Sequence, residues 1–540
     1  MVRPALGSIL LRHPDRNGQP TEYPLRRQIG GARELGLFVA IVALGVVLAL
    51  LKLANGSSAI VGLGQVLLVL GISILSWRSY ELAVGLVILE LTVAGASGSW
   101  TVFPGAVSGR MVLLAIVFFS GILILWREWR RNHRPELGRY GPHALVVAIV
   151  MPLVWVPVGL YYGNARSDIL GDANAHMFLA FSLVIGLVLW RGNGPWLRDW
   201  VFVACAANAI LTGLFILLEV TNVIPLWPTL RGALIDGPGN LGFGGQVGYM
   251  PGGYSRLYLG SGLYLQVGLA LVAWRLLENP RRWWPWALYG LLLVDVAVSY
   301  TRGFWIASVI STGLVMLLAA RTWQRPALIL AATLAFGLVA TVAGRLVDFS
   351  VPDYLMQRAA STLVTQPVPT PGQGATPPAT APPPLGSPGN DALGAIGNQI
   401  RLDQARILLG HFVERPILGS GFGAIAADYP YAHISRYEIS YLELLFDTGL
   451  VGFLVFMSLP SRLLFDAVRA RLGRLQIATG LSPRTAAVPI AIVASVLVVS
   501  ATNPYLLAAY GLLPILLSIA WLDPIAPHRP DAPNADVRSA

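Results

Sequence analysis

The residues of this 540-residue chain that could do chemistry gather into four short constellations. The richest runs from Tyr437 to Gly452 and contains Glu438, Glu443, Asp447, Gly449 and Gly452. Glu443 and Asp447 stand at i, i+4, so on a helix they share one face. Carboxylates inside an apolar helix normally face the protein interior or a wet cavity. A partly buried carboxylate can take a proton from a sugar hydroxyl. Contacts between helices are the plainer reading of Glu443 and Asp447, with Tyr441 beside them. Glu438, at the mouth of the apolar run, is the candidate general base.

The other three constellations are cationic or glycine-rich. Ser299-Tyr300-Thr301-Arg302-Gly303-Phe304-Trp305 joins two apolar runs with almost no loop. There an arginine coincides with a helix N-terminus, whose unpaired N–H groups favour anions. Arg302 is therefore a candidate for holding a diphosphate; the plainer reading is an interfacial arginine that snorkels to headgroups. Gly253-Tyr254-Ser255-Arg256-Leu257-Tyr258 is expected to place Arg256 at a second helix mouth, where a lipid-facing anchor is the alternative. The last combines Arg401 with Pro416-Ile417-Leu418-Gly419-Ser420-Gly421-Phe422-Gly423, whose glycines permit a sharp bend or close approach to a ligand; a plain turn accounts for it equally.

Other chemistries are excluded or weak. Gly237-Pro238-Gly239-Asn240-Leu241-Gly242 fits G-x-G-x-x-G but follows no strand pattern and contains proline, so it is no nucleotide fingerprint. Lys52, the one lysine, has no glycine before it, which rules out a P-loop. Cys205 is the sole cysteine, so neither an intrachain disulfide nor a Cys-rich metal site exists. His411 and His433 are too few and too loosely spaced for a metal site and read as solvated loop histidines. Glu90 and Asp295 lie in apolar runs and are expected to make contacts between helices. No metal site and no cofactor are expected.

The elements that must position these residues are membrane helices. The chain is 55% hydrophobic and 12% charged, with mean hydropathy +0.64. Soluble chains carry about 25% charged residues. Fourteen runs reach the length and apolarity of a span, near 36–52, 58–76, 80–97, 111–126, 143–162, 174–190, 199–220, 258–274, 284–300, 304–320, 327–344, 441–459, 485–501 and 505–522. With both termini cytoplasmic, 26 of the 38 basic residues fall on the inside, as the positive-inside rule requires. The expected fold is an all-α polytopic membrane protein. Its parts are a cytoplasmic tail (1–35), membrane helices with a glycine-rich outer loop (36–257), a core (258–459), C-terminal helices (460–522) and a cytoplasmic tail (523–540). The core includes a long outer loop, 345–440, whose Pro-rich part, 366–390, cannot build a hydrophobic core and should be a disordered tether. After it, Ile396, Ile400, Leu408 and Phe412 fall at multiples of four, as in an amphipathic helix. Arg401 and Arg406 lie on its other faces. The net charge of +11 marks topology rather than nucleic acid.

From about 250 to 460 the order of features resembles the O-antigen ligase and O-antigen polymerase superfamily of bacterial membrane glycosyltransferases. That order is Ser/Thr-x-Arg-Gly-x-Trp at a span boundary, a long outer loop, an arginine before Pro-x-x-Gly-x-Gly-x-Gly, then x-x-Ser-Tyr-Leu and Gly-x-x-Gly. The resemblance implies transfer or polymerisation of glycan from an isoprenoid-diphosphate donor at the outer face of the plasma membrane. Implied partners are a lipid-linked glycan donor, a glycan or lipid acceptor and polysaccharide-assembly proteins. The ligase branch has a histidine, one residue, a nine-residue spacer and Gly-x-x-Gly; here Glu438 takes the histidine position and Gly449 and Gly452 the glycines. Arg302 and Arg256 fall where the family binds the diphosphate, and Arg401 is a weaker match. The alternative is a flippase for the same lipid-linked glycan, which should show related halves and broken helices; neither is clear in the sequence. A second glycosyltransferase architecture, with an acidic motif in its first outer loop, is disfavoured because that loop holds no acid here.

Overall fold

In the computed structural model the described residues are 13–14, 20–21, 32–53, 58–94, 101–103, 107–131, 135–221, 246–250, 254–299, 301–345, 389–429, 437–475 and 481–523. Apart from three two-stranded antiparallel ladders, every described element is helical. The ladders are β1 (His13–Pro14) with β2 (Pro20–Thr21), β3 (Thr101–Phe103) with β4 (Val107–Ser108), and β5 (Gln246–Met250) with β6 (Tyr254–Tyr258).

The first half of the chain forms α1 (Ala32–Leu53), α2 (Ser58–Arg78), α3 (Tyr80–Ala94), α4 (Gly109–Arg130), α5 (Gly141–Tyr161), α6 (Arg166–Met177), α7 (Phe181–Trp190) and α8 (Gly194–Thr221). The second half forms α9 (Leu263–Glu278), α10 (Trp283–Val298), α11 (Arg302–Ala319), α12 (Gln324–Arg345), α13 (Gly389–Glu414), α14 (Ser440–Arg471), α15 (Ala487–Ser500), α16 (Ala509–Leu517) and α17 (Ile519–Leu522). The expected apolar runs overlap these helices, although the run near 258–274 opens on β6 and becomes α-helical only at Leu263. Among the described residues, eight helical runs are long and apolar enough to cross a membrane, and four shorter apolar helices accompany them.

Burial separates two kinds of helix. α9 is enclosed on all sides, packed by α8, α10, α11 and α15. α2, α4 and α12 instead turn large apolar side chains outward, among them Leu63, Trp77, Phe119, Leu123, Leu334 and Leu338. In water such continuous apolar bands would drive association; in hydrocarbon they cost nothing, and helices satisfy their backbone groups internally.

The two acids expected between helices behave differently. Glu90 of α3 takes a bidentate contact from Arg110 of α4 at 2.9–3.0 Å. Such geometry offsets the desolvation of a buried ion pair. Asp295 of α10 is fully buried against Gly213 of α8, and neither carboxyl oxygen has a hydrogen bond among the described residues. Its contact with α8 is packing.

Two sequence expectations need correction. Arg256 lies on strand β6, opposite Gly248, with a 3-10 turn (Gly260–Gly262) before α9 begins at Leu263, so it is not at a helix mouth. The glycines of this loop permit a hairpin that hydropathy alone does not reveal. The second concerns broken helices: α14 is one, interrupted at Gly449 with φ 61° and ψ −170°. The expected tether, 366–390, lies outside the described residues except for its last two positions, which begin α13.

Candidate active site at two helix starts

The glycine motif after α13 is a structural strap. A break in a helix frees backbone groups that must find partners. At the Gly449 break, Phe446 O accepts from Ser420 N and Asp447 O from Gly421 N, both at 2.8 Å. Leu450 N donates to Pro416 O at 2.8 Å and Val451 N to Ile417 O at 3.2 Å. On its other side the strap meets α5 and α6. Trp155 Nε1 donates to Leu418 O at 2.8 Å, Asn164 Nδ2 to Phe422 O at 2.9 Å, and Gly423 N to Asp172 Oδ2 at 2.7 Å. Gly421, at φ 80°, lies against the Gly159 backbone, where a Cβ has no room. The glycines therefore bring backbone onto backbone, not backbone onto a ligand.

This strap fixes the course of the chain into α14, whose first two turns carry Glu443 and Asp447. Glu443 and Asp447 are buried on one face, as their spacing predicts. Glu438 stands just before the helix and is half-exposed; its Oε2 lies 2.6 Å from Arg401 Nη2. The structure thus pairs the candidate base with one of the candidate diphosphate residues. Arg401 is also partly exposed, so water competes for both charges, and a pair of this kind is worth only about 0–1 kcal/mol.

The main chain of Glu438 is held separately. Its N–H donates to Gln404 Oε1 at 3.2 Å, and Gln404 Nε2 donates to the Tyr429 hydroxyl at 2.7 Å. Gln404 is almost wholly buried. Next to it Tyr437 is buried edge-on to Tyr429 and Phe446, and its hydroxyl accepts from Ala426 N at 2.7 Å. Burial pushes the Tyr437 hydroxyl up to about 12, with Asp447 and Glu443 adding to the rise, so it stays protonated at neutral pH.

The second helix start, that of α11, meets the same neighbourhood. Thr301 is its N-cap residue and Arg302, half-buried, its first helical residue. A Cβ on Gly303 would lie 2.8 Å from Thr502 Oγ1 and 3.2 Å from Asn503 Nδ2. Asn503 O in turn accepts from Ser440 Oγ at 2.7 Å. The Thr502–Asn503 turn therefore ties the start of α11 to the start of α14. Tyr441 secures the same corner, its hydroxyl donating to Leu497 O of α15 at 2.5 Å. Gly262, in the turn after β6, packs against the Phe304 ring of α11. Arg256 is thus six residues upstream of a contact with the helix that Arg302 begins.

His411 is not a loop histidine. It sits on α13, partly buried, with Nε2 2.7 Å from Asp428 Oδ1, Nδ1 3.5 Å from Glu414 Oε2, and its ring 5.6 Å from Phe446. The bond with His411 holds the Asp428 carboxyl below the ordinary carboxylate range. No group able to hold a metal ion occurs among the described residues. His433 lies outside the described residues.

Gln404, Tyr429 and Asn503 were not singled out from the sequence. Gln404 left a signal: it occupies the position between Ile400 and Leu408 in the four-residue series of α13, a polar residue in an apolar stripe. Asn503 left none, because its role depends on a turn far away in the chain.

Helical runs of membrane-spanning length and apolar outward faces define a polytopic membrane protein. Residues 287–457 match the family model described as O-antigen ligase, so the chain carries a domain of the O-antigen ligase superfamily. The matched segment runs from within α10 to within α14 and includes Arg302, Arg401, Glu438, Glu443 and Asp447; Arg256 precedes it. No curated protein matches the chain.

Proposed function

We propose that this protein transfers a glycan from an isoprenoid-diphosphate carrier to an acceptor hydroxyl at the outer face of a bacterial plasma membrane, as polymerase or ligase. In this reading fourteen helices span the bilayer and both termini are cytoplasmic. The observation that carries it is the meeting of two helix starts at the Thr502–Asn503 turn, with Arg302 on one and Glu438 leading into the other. The Arg302 guanidinium and the N-terminus of α11 stabilise negative charge as it develops on the departing diphosphate, and Arg256 adds a second cation. Glu438 takes the proton from the acceptor hydroxyl while the new glycosidic bond forms at the sugar carbon and the bond to diphosphate breaks. Partial exposure of Glu438 suits contact with a sugar arriving from water.

The test is transfer of labelled glycan in proteoliposomes. Glu438→Gln and Arg302→Ala are each expected to abolish product while leaving membrane insertion intact; full activity in either variant removes that residue from the mechanism. A flippase is the second reading, favoured by the break in α14. The strap, however, takes backbone groups that a transported ion or substrate would need. Translocation of the lipid-linked glycan without any transfer would establish the flippase instead.

A further inference from the structure

The hydrogen bonds around α13 concern how Glu438 is aimed. A carboxylate outside regular structure, one residue before an N-cap, has many rotamers and a movable main chain. General-base catalysis needs the oxygen within about 3 Å of the proton it removes, and misplacement by 1 Å can cost about a hundredfold in rate. Arg401 holds the carboxylate itself, but in a half-exposed pair that an anionic headgroup can draw away. Gln404 holds the backbone N–H of Glu438 from a buried position, out of competition with water.

The orientation of the Gln404 amide follows from its partners. The Glu438 N–H can only donate, so Oε1 must face it. Nε2 must then find an acceptor, and the Tyr429 hydroxyl supplies one at 2.7 Å. Tyr429 is itself fixed by its edge-on contact with Tyr437. The burial of Gln404 points the same way. Gln404 stands in the apolar stripe of α13 beside Leu408, where a leucine would contribute more packing and would not need two partners.

We propose that Gln404 is a positioning residue for Glu438, with Tyr429 locking its amide so that Glu438 remains aimed when Arg401 turns to an anionic donor. This rests on the reading of Glu438 as the base. The experiment uses the full chain in proteoliposomes, with a lipid-linked glycan as donor, and compares Gln404→Leu, Tyr429→Phe and Glu438→Gln. Thermal midpoints are measured on the same preparations. Gln404→Leu fills the same space and removes both hydrogen bonds. It should lower kcat by about tenfold to a hundredfold with KM for the donor changed less than about twofold and the thermal midpoint equal to or above that of the parent. Tyr429→Phe keeps the ring and should give a smaller loss of the same kind. A Gln404→Leu protein with parental kcat overturns the proposal, as does a loss that appears only as a lowered thermal midpoint or a raised KM. If Glu438→Gln keeps full activity, the underlying reading falls instead; if Glu438→Gln is inactive and Gln404→Leu is normal, the positioning proposal falls alone.

Discussion

The two ends of α14 carry the same residue types in opposite circumstances. At its start Glu438 meets Arg401, with the tyrosines 429 and 437 nearby, and both charges reach water. Near its end Asp466 is buried, accepts a hydrogen bond from Tyr140 at 3.1 Å, and has Arg462 and Arg469 at 3.9 and 4.0 Å. Beside it Asp523 accepts from Arg139 N at 2.9 Å. An acid, arginines and a tyrosine make a water-accessible corner in one place and a lock between helices in the other. What differs is access: a carboxylate can exchange a proton with a substrate only where the substrate can approach.

Five substitutions would break or sharpen this contrast, beginning with the largest effect. Glu438→Gln should reduce glycan transfer by at least about a hundredfold with an unchanged thermal midpoint; Asp466→Asn should do the reverse, keeping activity per folded molecule. A catalytic loss from Asp466→Asn equal to that from Glu438→Gln would erase the distinction. Gly421→Ala comes next. A Cβ there meets the backbone of α5 and sits at positive φ, so strain and overpacking should cost about 2–5 kcal/mol, read as a lost folded fraction in detergent.

Asp523→Asn should have a smaller effect that depends on pH. Burial pushes the Asp523 carboxyl up to about 6, above its unfolded value of about 3.9. The folded state therefore binds the proton more tightly, and stability rises as pH falls through about 6 toward 4. The asparagine should melt higher than the parent at pH 8, with the gap closing by pH 5. A constant gap would mean that the carboxyl is not the source. The smallest effect on stability is expected from Arg401→Gln, at most about 1 kcal/mol because the pair is half-exposed; a larger fall in the thermal midpoint would show that the two ends of α14 are alike after all.

Much of this is legible in the sequence alone. Hydropathy located every apolar run that became a helix, because a lipid-facing helix must be apolar over its whole length and cannot hide that. The i, i+4 spacing placed Glu443 and Asp447 on one buried face. One reading failed, and one left open was decided, for the same physical reason. Arg256 became part of a hairpin, and the Pro416–Gly423 glycines became a strap, because glycine permits many backbone paths and the path taken depends on what the distant chain offers as a partner. The break at Gly449 is the same case: a Gly-x-x-Gly pattern in an apolar helix is compatible with an unbroken helix until Pro416 to Gly421 supply the missing hydrogen bonds.

By itself the sequence determined the class of protein, the order of its apolar helices, and the carboxylates and arginines available for chemistry, since these depend on composition and local period. The tertiary structure decided which of them meet. The pairing of Arg401 with Glu438, the grip of Gln404 on the Glu438 main chain, and the joining of two helix starts through Asn503 link residues at least 34 positions apart. Such contacts follow from packing, which no local pattern encodes.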